Sequence, residues 1–193
     1  LQFVLWPSLA KAAGVDRSKV KLIMTNFRMV LSQWGAGRYE VTGNFLVGTT
    51  SGERFEKQGK KVREFVLSDY LPLIGHGIVV TDDLLASDPK TVGGFVKATQ
   101  KAWAYLAKQP RKAAREAADV IVKNVEKSPP PATMVKYAMK VIPSRMFSPS
   151  TRGKPLGWSN PDDWQKMIDV LAANDKLKRK PKVSDVVTNR FVQ

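Results

Sequence analysis

The chain of 193 residues contains no cysteine and a single histidine. The first absence removes disulfide frameworks, zinc ribbons, iron–sulfur ligation and thiol nucleophiles. No run approaches the roughly 18 apolar residues of a membrane-spanning helix. Acidic residues are scarce as well: 17 Asp and Glu stand against 32 Lys and Arg, a formal net charge of +15. What is present is a hydrophobic fraction of 43% and a charged fraction of 25%. That is the balance of a core-forming domain and excludes a disordered tail or a low-complexity linker. The length fits one large domain or two small ones.

A strong basic excess points first to polyanions. Its distribution weakens that reading. Residues 1–97 carry 13 basic and 9 acidic side chains, a net of +4, whereas residues 98–193 carry 19 and 8, a net of +11. Lys108, Arg111, Lys112 and Arg115 have the spacing of one helix face. Lys176, Lys178, Arg179, Lys180 and Lys182 run beside Pro181, and Lys57, Lys60, Lys61 and Arg63 make a smaller cluster. Each is either a solvated surface or a track for phosphates. No zinc-finger or RNA-binding signature accompanies them, and aromatics do not alternate with them as a stacking platform requires. A basic nucleic-acid or anionic-surface binder therefore stands as the alternative.

Hydrophobic spacing and stop signals divide the chain into short elements. A helix is expected over Phe3–Ala13, with Leu5, Leu9, Ala12 and Ala13 on one side and Gly14 as its stop. It starts with no capping residue ahead of it, so the chain is expected to begin inside a structure. Val20–Met24, Tyr39–Phe45 and Val62–Leu67 read as strands, with helices over Phe27–Trp34 and Thr49–Gly59 between them. Ile74–Val80 reads as extended. Thr81-Asp82-Asp83 caps one helix, and Asp88-Pro89 opens a longer one through Trp103 and Leu106. Gln109-Pro110 precedes a helix at 111–126, Pro129-Pro130-Pro131 breaks the chain, and a helix follows at 132–140. Asn160-Pro161-Asp162-Asp163 opens the last one. Strand–helix alternation up to residue 80 predicts an α/β sheet; the helical remainder lacks strands of its own to cover.

Six segments in order carry a family resemblance. They are Pro7–Asp16, Glu40–Phe45, Glu56–Val62, Gly77–Leu85, Gly153–Trp158 with Asp162–Trp164, and Thr188–Phe191. Together they resemble the periplasmic substrate-binding proteins of ABC importers that take thiamine pyrimidine precursors, alkanesulfonates, taurine or nitrate. Glu40 stands where that family usually has Asp, and Trp34-Gly35-Ala36 departs from its usual small-residue turn. The resemblance implies an α/β, two-lobed type II periplasmic binding protein fold lacking the first part of lobe one. Residues 1–73 would be most of the second lobe, 74–80 the return crossover and hinge, and 81–193 the helical part completing the first lobe. It also implies a monomer when complete, secreted to the periplasm by a signal peptide not present in this chain. Such a protein closes about a hinge on a small polar or anionic ligand and delivers it to a membrane permease. It uses no cofactor, performs no chemistry and binds no nucleic acid. Fungal pyrimidine synthases share the fold, but they carry a cysteine-rich motif that this chain lacks.

Ligands in open α/β sheets sit beyond the carboxyl ends of strands. Thr42-Gly43-Asn44-Phe45 ends the expected strand at Tyr39 and offers hydrogen bonds, close backbone approach and an aromatic wall. The resemblance places this segment at the cleft. His76, between Gly75 and Gly77, either lines the cleft or serves the hinge; no acid or nucleophile is placed beside it. Tyr70 is a further cleft candidate, with core packing as its default. Trp34, Trp103 and Trp164 read as core, and Trp158 either covers one end of the cleft or packs in its loop. Asp82 and Asp83 read as helix-opening acids rather than metal ligands. Neither a catalytic nor a metal site is expected.

Overall fold

The computed structural model describes residues 2–26, 28–43, 52, 55–128 and 130–193. Seven α-helices are laid out along these residues: α1 Gln2–Ala12, α2 Val30–Gly35, α3 Asp82–Ser87, α4 Pro89–Lys108, α5 Pro110–Asn124, α6 Pro131–Arg145 and α7 Pro161–Ala173. Short 3-10 turns occupy Arg17–Lys19, Leu67–Asp69 and Val183–Asp185. The chain divides into two compact units, one of residues 1–73 with 169–179 and one of residues 74–168 with 180–193.

The α/β expectation is overturned. Helix is the predominant structure among the described residues, which contain no strand and no sheet. Val20–Met24, Tyr39–Gly43, Val62–Val66 and Ile74–Val80 form no ladder. Their backbone does reach the extended region, as at Val20 (φ −116°, ψ 115°) and Val66 (φ −95°, ψ 118°). Extended backbone is a local preference of β-branched residues, whereas a ladder requires a partner strand brought from elsewhere. Without one many of these side chains stay in solvent, and Val79 is 93% exposed. The two-lobed type II arrangement needs sheets, and the described residues form none. Phe45 and residues 49–51, 53 and 54 of the helix expected at Thr49–Gly59 lie outside the described residues.

Helix boundaries follow from local chemistry. Helix α1 stops where Gly14 takes φ +65°, and Val15 N–H reaches back to the Ala10 carbonyl at 2.8 Å. This closure satisfies carbonyls the helix would otherwise leave open. Leu5 and Ala10 are its fully buried residues, while Ala12 and Ala13, expected on the inner side, are exposed. The Thr81 hydroxyl accepts from Leu84 N–H at 3.2 Å to start α3, with Asp82 and Asp83 in the first turn. Asp88 accepts from Thr91 N–H at 3.0 Å to start α4, with Pro89 next. Asn160 accepts from Asp162 N–H at 3.0 Å ahead of α7. Pro110 supplies no N–H, so the helix restarts there and Lys108 belongs to α4, apart from Arg111, Lys112 and Arg115 on α5. The single basic face expected across 108–115 is thus split.

The core of the second unit lies between α5 and α6. Ala114, Ala138 and Ile142 are buried together, with Leu106, Val135 and Met146 packed around them. Ala113 and Ala118 are buried as well, so α5 turns a small-residue face toward its neighbour. The Tyr105 hydroxyl donates to Glu116 at 2.8 Å, tying α4 to α5, and this bond raises the phenol above its ordinary pKa. Trp103, read as core, is 46% exposed. At Gly93 a methyl group would stand 3.2 Å from the Phe191 ring, whereas at Gly94 it would meet nothing.

Two stability predictions follow from this geometry. Gly94→Ala raises stability by roughly 0.5–1 kcal/mol through helix propensity. Gly93→Ala loses most or all of that gain against Phe191, and urea unfolding of the pair measures the difference. The Thr91 hydroxyl, then the Thr91 N–H, hold the Asp88 carboxyl below its ordinary pKa. A depressed folded pKa contributes stability above the unfolded value, which is lost as pH falls through the folded one. Wild type therefore loses helix content more steeply below about pH 4 than Asp88→Asn does, as read by circular dichroism.

Candidate functional site

The first unit organises its site around α2. That helix ends at Gly35, and two residues on, Gly37, with φ +77°, lets Arg38 N–H bond the Gln33 carbonyl at 3.1 Å. Two side chains then strap the following segment to the helix. The Tyr39 hydroxyl donates to the Val30 carbonyl, and the Trp34 indole N–H donates to the Glu40 carbonyl at 3.0 Å. Ahead of the helix, the Thr25 hydroxyl donates to the Gln33 side-chain carbonyl at 2.8 Å.

Behind the strap lies an aromatic contact. Phe55 is buried and meets Trp34 edge-on, with ring centroids 4.7 Å apart and planes at 85°. This edge-to-face geometry is the one favoured by the ring quadrupoles. Gly35 permits it: a methyl group there would lie 2.4 Å from a Phe55 ring carbon. The Lys60 ammonium donates to the Gly35 carbonyl. Trp34 departs from the usual turn of the resembled family and is expected in the core. The structure makes it a half-buried residue that positions Glu40–Gly43, a role hinted at only by the adjacent Gly35-Ala36-Gly37 reversal.

Thr42 sits at the end of this strap. Val41 is exposed, whereas the Thr42 hydroxyl oxygen beside it is buried. That oxygen has no hydrogen-bond partner among the described residues. A hydroxyl can donate once and accept twice, and burying it unpaired costs about 1–3 kcal/mol. Gly43 follows, half-buried, with no side chain to screen its backbone. A second buried polar atom without a partner, the Trp164 indole N–H, belongs to α7.

The remaining candidates lie elsewhere. Asn44 and Phe45 are outside the described residues. Tyr70 closes the Leu67–Asp69 turn through its backbone and is 42% exposed, so it is not a core tyrosine. Gly75 and His76 are exposed in an irregular segment of the second unit, whereas Thr42, Gly43 and Tyr70 belong to the first. Trp158 is half-buried in its loop with the Lys154 ammonium 5.1 Å from its ring centre. Among the described residues no group of three or more His, Asp or Glu side chains is placed to hold a metal ion. None of their helices is long and apolar enough to cross a membrane. The first unit also has a cavity of about 590 Å³ beside Ser8, Lys11, Asp16, Arg17 and Asn174, where Asn174 donates to the Ser8 hydroxyl at 2.8 Å. Thr42 is not part of its lining.

A family model described as NMT1/THI5 like matches residues 3–113, more than half of the chain and the whole of the strap. The chain belongs to the NMT1/THI5-like family. Members of the NMT1/THI5-like family are in general small-molecule binders associated with ABC transporters. No curated protein and no solved structure matches the chain.

Gly35→Ala tests the support of the strap. Because the Phe55 ring is buried, it has little room to retreat, and overpacking of this kind costs roughly 1–3 kcal/mol. Denaturant unfolding is expected to show that loss.

Proposed function

We propose that this chain is the solute-binding component of an ABC importer. It captures a small polar or anionic compound, of the kind represented by a thiamine pyrimidine precursor, a sulfonate or nitrate, and hands it to the membrane permease. Capture takes place in the periplasm and involves no chemical conversion of the solute. Membership of the NMT1/THI5-like family over residues 3–113 carries the reading.

The site that supports it best is the strap at Thr42 and Gly43. A buried hydroxyl lacking a partner is costly in a free protein and becomes favourable when a polar solute supplies the missing hydrogen bond. Trp34 and Tyr39 hold the segment in place beforehand, which reduces the ordering cost of binding. Asn44 and Phe45 extend the same segment in sequence, and Tyr70 of the same unit is a further contact in this proposal.

Thermal unfolding in the presence of a thiamine pyrimidine precursor, taurine, an alkanesulfonate and nitrate tests the reading. One of these solutes is expected to raise stability by about 2.7 kcal/mol at a hundredfold excess over its dissociation constant. Thr42→Val is expected to raise the stability of the free protein by about 1 kcal/mol while cutting the ligand-induced shift. Absence of any shift across the panel would remove the small-solute reading. A full shift in Thr42→Val would remove Thr42 from the site.

A further inference from the structure

The second unit has a groove of about 510 Å³ between α5 and α6. Its floor is apolar, made by the half-buried Val135 and Met139, and around it stand the exposed Pro131, Ala132, Arg111, Arg115 and Lys136. The two arginines are one helical turn apart on α5, so their guanidinium groups project from the same face. Both are exposed and make no ion pair or hydrogen bond among the described residues. No acidic side chain contributes to the lining. The acidic residues that follow on α5 are Glu116 and Asp119; neither lines the groove, and Glu116 accepts from the Tyr105 hydroxyl. Helix α6 also begins at this groove with no acidic residue in its first turn.

We infer that this groove is a binding site for a small organic anion with an apolar body, such as a medium-chain carboxylate. The charge complement is specific: the two unpaired arginines call for an anionic head group, and guanidinium pairs bind carboxylates through charge-assisted hydrogen bonds. The floor calls for hydrocarbon, because Val135 and Met139 offer an apolar surface that a bare inorganic anion would leave wet. Its volume lies within the range of small-molecule sites, roughly 300–1,000 Å³. The core beneath it, built on Ala114, Ala138 and Ile142, holds the two helices at a set separation. The site is independent of the strap at Thr42. All but Arg111 of its lining lies beyond the residues matched by the family model.

Isothermal titration of the full chain with octanoate, acetate and octanol tests the inference. Octanoate is expected to saturate one site, with acetate and octanol at least about tenfold weaker, since one lacks the apolar body and the other the charge. The exposed double variant Arg111→Gln/Arg115→Gln is expected to weaken octanoate by about tenfold or more while unfolding at an unchanged temperature. Met139→Gln is expected to weaken octanoate and leave acetate as it was. Removing two cations elsewhere, with Lys176→Gln/Lys178→Gln, is expected to change nothing. Equal affinity for acetate and octanoate, or octanoate binding indifferent to the arginines, overturns the inference. Displacement of octanoate by an acidic helical peptide that binds more tightly would instead make the groove a protein-docking surface and overturn it too. Each of these outcomes leaves the solute panel and Thr42→Val to be judged separately.

Discussion

The close packing of α5 on α6 is the contact around which the second unit is arranged. Ala114 faces Ala138 and Ile142, and with Ala113 and Ala118 also buried, the helix backbones can approach closely. Small side chains contribute little area each, so complementarity of shape matters more here than hydrophobic bulk. The same packing sets the groove above it. Arg111 and Arg115 leave α5 on one side, while Val135 and Met139 form the floor from α6. A surface of mixed character, apolar below and cationic at the edge, is thus a by-product of how two helices meet.

The first unit rests on a different device. Gly35 gives up its side chain so that Phe55 can lie against Trp34, and Trp34 in turn holds the Glu40 carbonyl. The chain of contacts ends at Thr42, where a buried hydroxyl remains without a partner. Stability is therefore given up at the segment that the family resemblance associates with ligand. Strain or unmet bonding potential at one place, tolerated by packing around it, is a recurrent property of binding sites.

Charge has a more limited part than its size implies. A net of +15 suggests a polyanion partner when only totals are considered. The residues of the strap from Tyr39 to Gly43 include no Lys or Arg. The basic face expected at 108–115 is divided by Pro110, and only Arg111 and Arg115 of that group line the groove, with Lys136 from the next helix. Lys136 and Met139 could not be joined to those arginines from spacing alone, because the proline-rich turn between the helices decides which faces meet.

Family membership was legible in the sequence, as were the helix starts at Thr81, Asp88 and Asn160 and the stop at Gly14. Each of these boundaries depends on bonds within a few residues, so composition and spacing suffice to locate them. Thr42 and Gly43 were legible as candidates through the segment that carries them. Its support by Trp34, Tyr39 and Phe55 was not, since a contact such as Trp34 with Phe55 joins residues far apart in the chain. The expected sheet failed for the same reason. Val20–Met24 and Ile74–Val80 have the residues to be extended, but pairing is a property of two segments at once, and the described residues offer them no partner. Tertiary structure likewise decided that Trp103 stays in solvent and that two arginines share a groove with Met139. Local hydrogen bonding is written in neighbouring residues; burial and pairing are decided by what the rest of the chain can bring to them.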